Sequence, residues 1–180
     1  MKLKLVPITE KLSDKIYDMF QEIPKQDPYQ DENVANGLSR DEFRKYCVVL
    51  EMAGKNILLS YMVPQMTYYV LFDGETPVGW FLLKAEKLRD EVLHAGHIGY
   101  TIRPSKRGMG YGEKGLMLVV EKAKKMGYKK VCVTTDDINT PSVKMLKTCG
   151  FKKFPKSSKI QQITKSHYDG MSQYYLNLNK

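Results

Sequence analysis

The sequence has 180 residues, 42% hydrophobic and 27% charged, with 13 Gly, 8 Pro and a net charge of +9. A chain of this length buries about 70% of its unfolded surface around one core, so a single domain over residues 1–180 is expected, and collagen-like, low-complexity and wholly disordered classes are excluded. The charge is uneven: residues 103–130 carry 9 Lys+Arg against 2 Asp+Glu, and residues 151–180 carry 6 against 1, which suits a small polyanion or a nucleic acid.

The chain opens with Lys2-Leu-Lys-Leu-Val-Pro-Ile8, whose alternation predicts a strand. No apolar run long enough for a secretory signal follows it, and none reaches the ~18 residues of a membrane span. Cys47, Cys132 and Cys149 are odd in number and contain no CxxC pair, so a soluble protein of a reducing cytoplasm is expected, without a disulfide framework or a zinc site. Apolar residues at 12, 16, 19, 20 and 23 have helical spacing, and a polar loop over 25–37 separates this helix from a second. The second starts at Ser39, with Glu42 completing a capping box, and ends at Gly54. Residues 66–86 read as a hairpin turning at Asp73-Gly74. His97 to Arg103 reads as another strand; His94 and His97 could share a metal on a helix, but residues 90–102 read as a strand and Gly96 and Gly99 oppose a helix, so no metal site is expected.

Glycines 108, 110, 112 and 115 then lead into a long helix ending at Gly127, followed by a strand over 129–137. Asn139 caps a short helix that has Pro141 in its first turn and Gly150 at its end. Residues 151–159 and 171–179 read as a closing antiparallel pair joined by a polar loop. The resulting order, β-α-α-β-β-β-α-β-α-β-β, predicts an α/β fold with a central mixed sheet and helices on both faces. The strands on either side of the long helix should be parallel neighbours joined by a right-handed crossover.

The glycine turn carries chemistry. Glycines allow positive φ and a close backbone approach, and the helix amino terminus adds partial positive charge, so the turn with Arg103, Lys106 and Arg107 forms an anion site. Gly110-x-Gly112-x-x-Gly115 also meets a dinucleotide fingerprint, but Arg103-Pro-Ser-Lys-Arg107 intervenes after the strand, and the unit is central rather than the first in the chain. Walker A is excluded because no Gly-Lys-Ser/Thr follows.

The stretch from Ile102 to Gly112 resembles motif A of the GNAT N-acetyltransferases, with Arg107, Gly110 and Gly112 on its Arg-x-x-Gly-x-Gly core. Asn139-Thr-Pro-Ser142, a short helix and Gly150-Phe151 are similar to that family's motif B. The resemblance implies a GNAT-like acyl-CoA N-acyltransferase fold, acetyl-CoA as cosubstrate and an amine acceptor, small molecule or protein. It places pantetheine along the strand His97–Ile102, with Thr101 and Ile102 as binding residues, and the pyrophosphate on the amides of Arg107, Gly108, Met109, Gly110, Tyr111 and Gly112. Asn139 and Ser142 face the same cosubstrate.

Where many members carry a Tyr acid, this chain has Leu146, and the general base is open between His97 and Asp136. Tyr29, Glu32, Tyr68 and Tyr69 are candidates for the acceptor side. A noncatalytic acyl-CoA-binding or regulatory module is the alternative function. Nucleic-acid binding rests on charge alone, no membrane partner is indicated, and a homodimer is compatible with the sequence.

Overall fold

The structure, a computed structural model, describes residues 2–26, 33–55, 65–85, 94–167 and 169–178. Leu3–Pro7 (β1), Met66–Asp73 (β2), Thr76–Lys84 (β3) and Ile98–Ile102 (β4) form an antiparallel sheet in chain order. A second antiparallel sheet has the order β5-β7-β6, with β5 at Lys130–Asp136, β6 at Lys152–Lys153 and β7 at Met171–Asn177. The helices are Ser13–Glu22 (α1), Arg40–Gly54 (α2), Tyr111–Lys125 (α3), Thr140–Thr148 (α4) and Lys159–His167 (α5). At α2, Ser39 Oγ accepts from the Glu42 amide while the Glu42 carboxylate accepts from the Ser39 amide, so the capping box forms as expected.

The β2 run Tyr69-Val70-Leu71-Phe72 is apolar without alternation because both faces of the sheet are covered. Tyr69 and Leu71 join Phe81, Leu83 and the α3 residues Leu116, Val119 and Val120 on one face. Val70 and Phe72 join Ile16, Phe20 and Phe43 of α1 and α2 on the other. Gly79 pairs with Leu71 and Pro77 with Phe72, leaving Val78 as a bulge. Beyond the bulge, Trp80 and Phe81 take opposite faces, so Trp80 packs on the α1–α2 side and Phe81 under α3.

Helices thus lie on both faces, but the central sheet is divided and every ladder among the described residues is antiparallel. The expected parallel ladder between β4 and β5 does not form. Among the described residues, a single bridge from Gly96 to Val133, just before β4, marks where the two segments meet.

The closing pair is also different. β6 has two residues, β7 lies between it and β5, and the polar connection contains α5. This helix docks through polar groups: Gln161 and Thr164 are wholly buried. Gln161 Nε2 donates to the Met171 carbonyl at 3.1 Å and its Oε1 accepts from the Gln173 amide at 3.1 Å. With Ile160 and Ile163 as its apolar residues, the helix offers too short a hydrophobic pattern to announce the docking face.

Candidate active site

Beyond the bridge, β4 and β5 part. The His97 amide donates to the Cys132 carbonyl at 2.7 Å, while the His97 carbonyl is taken by the Lys84 amide at 2.8 Å. The ring completes the pairing, with Nδ1 accepting from the Cys132 amide at 3.0 Å where a regular ladder would use a carbonyl. His97 is buried, with its ring edge-on to Tyr128, and lines neither cavity of the site. The side chain considered as a base therefore sits at the apex of the opening, away from its space.

A cavity of ≈ 430 Å³ fills the opening, walled by Ile98–Thr101 on β4 and Val133–Asp136 on β5. A second, of ≈ 580 Å³, extends past Ile102 along the glycine turn to the start of α4. Tyr100, Thr101, Asn139 and Ser142 line both, so the two spaces are continuous.

The residues preceding the glycine turn are tied down from another element. The Glu22 carboxylate at the end of α1 accepts from the Ser105 amide at 2.6 Å and from Arg103 Nε at 2.5 Å, and pairs with the same guanidinium through Nη2. Burial pushes the Glu22 carboxyl up, but the bonds from Ser105 and Arg103 outweigh it and hold it below the usual range. Arg103, one of three cations crowded before the turn, is thus a structural partner of Glu22. Lys106 and Arg107 line the second cavity, and Arg107 Nε donates to the Ile102 carbonyl at 3.0 Å.

Gly110 caps α3 at φ 77°, with open space where a Cβ would project. The first turn of α3 lines the cavity, and its leading amides have no partner within the helix. Gly112 has a different reason: a Cβ there would stand 2.7 Å from Met145 Sδ, so this glycine permits α3 to pack against α4. Met109 is 51% exposed and lines neither cavity, which separates it from the other residues expected at the pyrophosphate.

At the junction of the cavities, the Tyr100 hydroxyl is 2.6 Å from Ser142 Oγ. Burial pushes the Tyr100 hydroxyl up to about 12. Asn139 Oδ1 accepts from the Ser142 amide at 3.1 Å and caps α4, which presents Ser142 to Tyr100. Leu146 is wholly buried in the core. Among the described residues, Asp136 is the carboxylate that lines the first cavity; its Oδ1 accepts from the Ile138 amide at 3.0 Å.

Of the acceptor-side candidates, Tyr68 lines the first cavity, Tyr69 faces the α3 core, and Tyr29 and Glu32 lie outside the described residues. Tyr100, Trp80, Tyr46 and Phe20 were not among the sequence candidates. Each occupies a position in a strand or helix where an aromatic side chain reads as core.

The model of the acetyltransferase (GNAT) domain matches residues 2–152. The chain belongs to the GNAT acetyltransferase family. This GNAT protein is similar in structure to the ribosomal L7/L12 alpha-N-protein acetyltransferase RimL in complex with coenzyme A, at TM-score 0.69 and 16% identity, over 97% of this chain and 93% of that one. It is similar to the ribosomal-protein-S5-alanine acetyltransferase of Vibrio fischeri at TM-score 0.68 and 15% identity, over 100% and 95%. It is also similar to the microcin C7 self immunity acetyltransferase MccE in complex with acetyl-CoA and AMP, at TM-score 0.67 and 12% identity, over 97% and 92%. No curated protein sequence matches the chain.

The protein is an acetyl-CoA-dependent N-acetyltransferase with acetyl-CoA as cosubstrate. The site fits that molecule: cationic Lys106, Arg107 and Lys144 and the amino terminus of α3 surround open backbone at Gly110, and the parted edges of β4 and β5 suit an amide-bearing arm. No helix among the described residues is long and apolar enough to cross a membrane.

Proposed function

We propose that residues 1–180 act as one acetyltransferase domain that transfers the acetyl group directly to an amine entering the first cavity. The phosphates lie against Lys106, Arg107 and the amides of Gly108 to Gly112, and the pantetheine arm follows Thr101 and Ile102 past Asn139 and Ser142. The single observation that carries the assignment of roles is the Tyr100–Ser142 pair at the meeting of the two cavities.

An acceptor ammonium must lose a proton before its lone pair attacks the thioester carbon. Asp136 lines the acceptor cavity and is assigned to hold the ammonium and receive its proton, directly or through water. As the new C–N bond forms, the nitrogen sheds its second proton to solvent, and as the C–S bond breaks, the electron pair goes to sulfur. A thiol has an ordinary pKa near 8.5, whereas the Tyr100 hydroxyl is held at about 12. The proton therefore stays on the tyrosine, which stabilises the departing thiolate by donating a hydrogen bond, and the thiolate takes its proton from solvent. Leu146 can do neither. A reducing cytoplasm is the proposed setting, supported by the free thiols of Cys47, Cys132 and Cys149.

The test is to incubate the protein with acetyl-CoA and a panel of amines, following thiol release together with the acetylated product by mass spectrometry. Amine-dependent release in the wild type, reduced by Tyr100→Phe and by Asp136→Asn, supports these roles. Full activity in both variants removes them.

A further inference from the structure

The first cavity has a distinct chemistry on the side away from Ser142. Tyr68 of β2 and Trp80 of β3 stand on the sheet with ring centroids 6.1 Å apart, tilted by 49°. Phe20 of α1 and Tyr46 of α2 close over them. The strand registers explain the grouping: Tyr68 pairs with Leu82, Leu82 with Gly99, and Trp80 with Thr101, so these side chains share the sheet face opposite α3. Across the opening lies the Asp136 carboxylate.

Among the described lining residues there are five aromatic rings, Tyr100 at the junction included, with one carboxylate and no Lys, Arg or His. Ring faces attract a cation and an apolar body, and they offer an anion nothing. A carboxylate on the acceptor would meet Asp136, with no cation among the described lining residues between them. A polycation would bring several charges to one carboxylate. At ≈ 430 Å³ the space lies toward the small end of ligand sites, which run from about 300 Å³ upward, and part of it must admit the thioester.

From this we infer that the acceptor is a monocationic primary amine carried on an aromatic body without a neighbouring carboxylate, its ring among Phe20, Tyr46, Tyr68 and Trp80 and its nitrogen toward Asp136. The inference rests on the acetyl-transfer reading above. The ring and amine could come from a free aralkylamine or from the amino terminus of a peptide that begins with an aromatic residue, and the two share this chemistry.

The experiment measures kcat/KM at saturating acetyl-CoA for 2-phenylethylamine, a short peptide beginning with Phe, free phenylalanine, n-butylamine and spermidine. The expected result is about tenfold or more in favour of phenylethylamine or the Phe peptide over the last three; which of the two leads identifies the source. Trp80→Leu should raise the KM of the favoured amine by about tenfold and leave the acetyl-CoA KM unchanged. Tyr68→Leu is the second variant if thermal unfolding shows that Trp80→Leu does not fold. Preference for spermidine, n-butylamine or free phenylalanine overturns the inference and leaves acetyl transfer standing, as does a ring preference that survives both substitutions. If folded protein binds acetyl-CoA and acetylates no amine in the set, the acetyl-transfer reading falls, and this inference with it.

Discussion

The Tyr100 hydroxyl and Ser142 Oγ are 2.6 Å apart, one on β4 and the other in the first turn of α4, 42 residues away in the chain. The contact joins the two walls of the cleft where both cavities meet, so removing either oxygen changes the same feature. Tyr100→Phe keeps the ring against Phe81 and should lower kcat by about tenfold to a hundredfold, with little change in the acetyl-CoA KM. Ser142→Ala should act in the same direction, and the double variant should cost little more than the worse single one, because the two act as a unit. Steady-state kinetics of the three variants check this, and additive losses would contradict it.

The hydroxyl's elevated value also carries a sign. A group whose folded pKa is raised to about 12 contributes stability that is complete below the ordinary value near 10 and is lost as pH climbs toward 12. Wild-type kcat should therefore show no alkaline fall below about pH 10 that Tyr100→Phe abolishes. Parallel pH profiles of the two proteins test this.

Glu22 offers the opposite case. Its carboxyl is held below the usual value near 4.5 despite burial that would raise it, so its contribution is complete above that value and is lost as pH falls below it through the lowered folded value. Glu22→Gln weakens the bonds to Ser105 and Arg103 and should cost about 1–2 kcal/mol at pH 7, since the pair is partly exposed. The difference from wild type should shrink in urea unfolding as the pH is taken well below 4.5. The same substitution should raise the acetyl-CoA KM, because residues 103–107 lead directly into the glycine turn.

His97 carries a positioning role. If its Nδ1 sets where β4 and β5 part, His97→Asn, whose Oδ1 can accept from the Cys132 amide, should keep acetyl-CoA binding, whereas His97→Leu should weaken it. The unpaired buried amide left by leucine costs about 1–3 kcal/mol. Loss of kcat in His97→Asn with cosubstrate binding intact would instead make the ring chemical.

Much of this architecture is legible because local rules and tertiary structure agree. The capping box at Ser39, the Asp73-Gly74 turn and the Asn139 cap each satisfy backbone groups nearby, so residue type alone announces them. The glycine turn is legible for the same reason at Gly110, where φ is 77°. α5 is not, because it is held to β7 by Gln161, a polar residue that reads as loop until Gln173 is beside it. Nor is Tyr100: a tyrosine in a strand reads as packing, and only the approach of α4 gives its hydroxyl a partner. The splay escapes a topological rule that counts strands as neighbours, because it depends on one imidazole taking the place of a carbonyl.

Asp136 permits the sharpest division between binding and chemistry. It closes the Asp136–Asn139 corner through its own Oδ1 and the Ile138 amide, and an asparagine can make the same bond, so Asp136→Asn should leave folding and the acetyl-CoA KM near wild type. What disappears is the charge that holds an ammonium in the first cavity. The expected loss is about a hundredfold in kcat/KM for the amine. An amine with a pKa near 10 supplies its own ascending limb, so wild type and variant should both gain activity with rising pH. The distinguishing measurement is their ratio: as the amine becomes neutral in solution, the carboxylate has less charge to hold and no ammonium proton to accept, and the gap between the two proteins should narrow toward pH 10. A gap that stays constant across that range would mean that Asp136 serves the corner alone, with acetyl transfer resting on the positioning of amine against thioester.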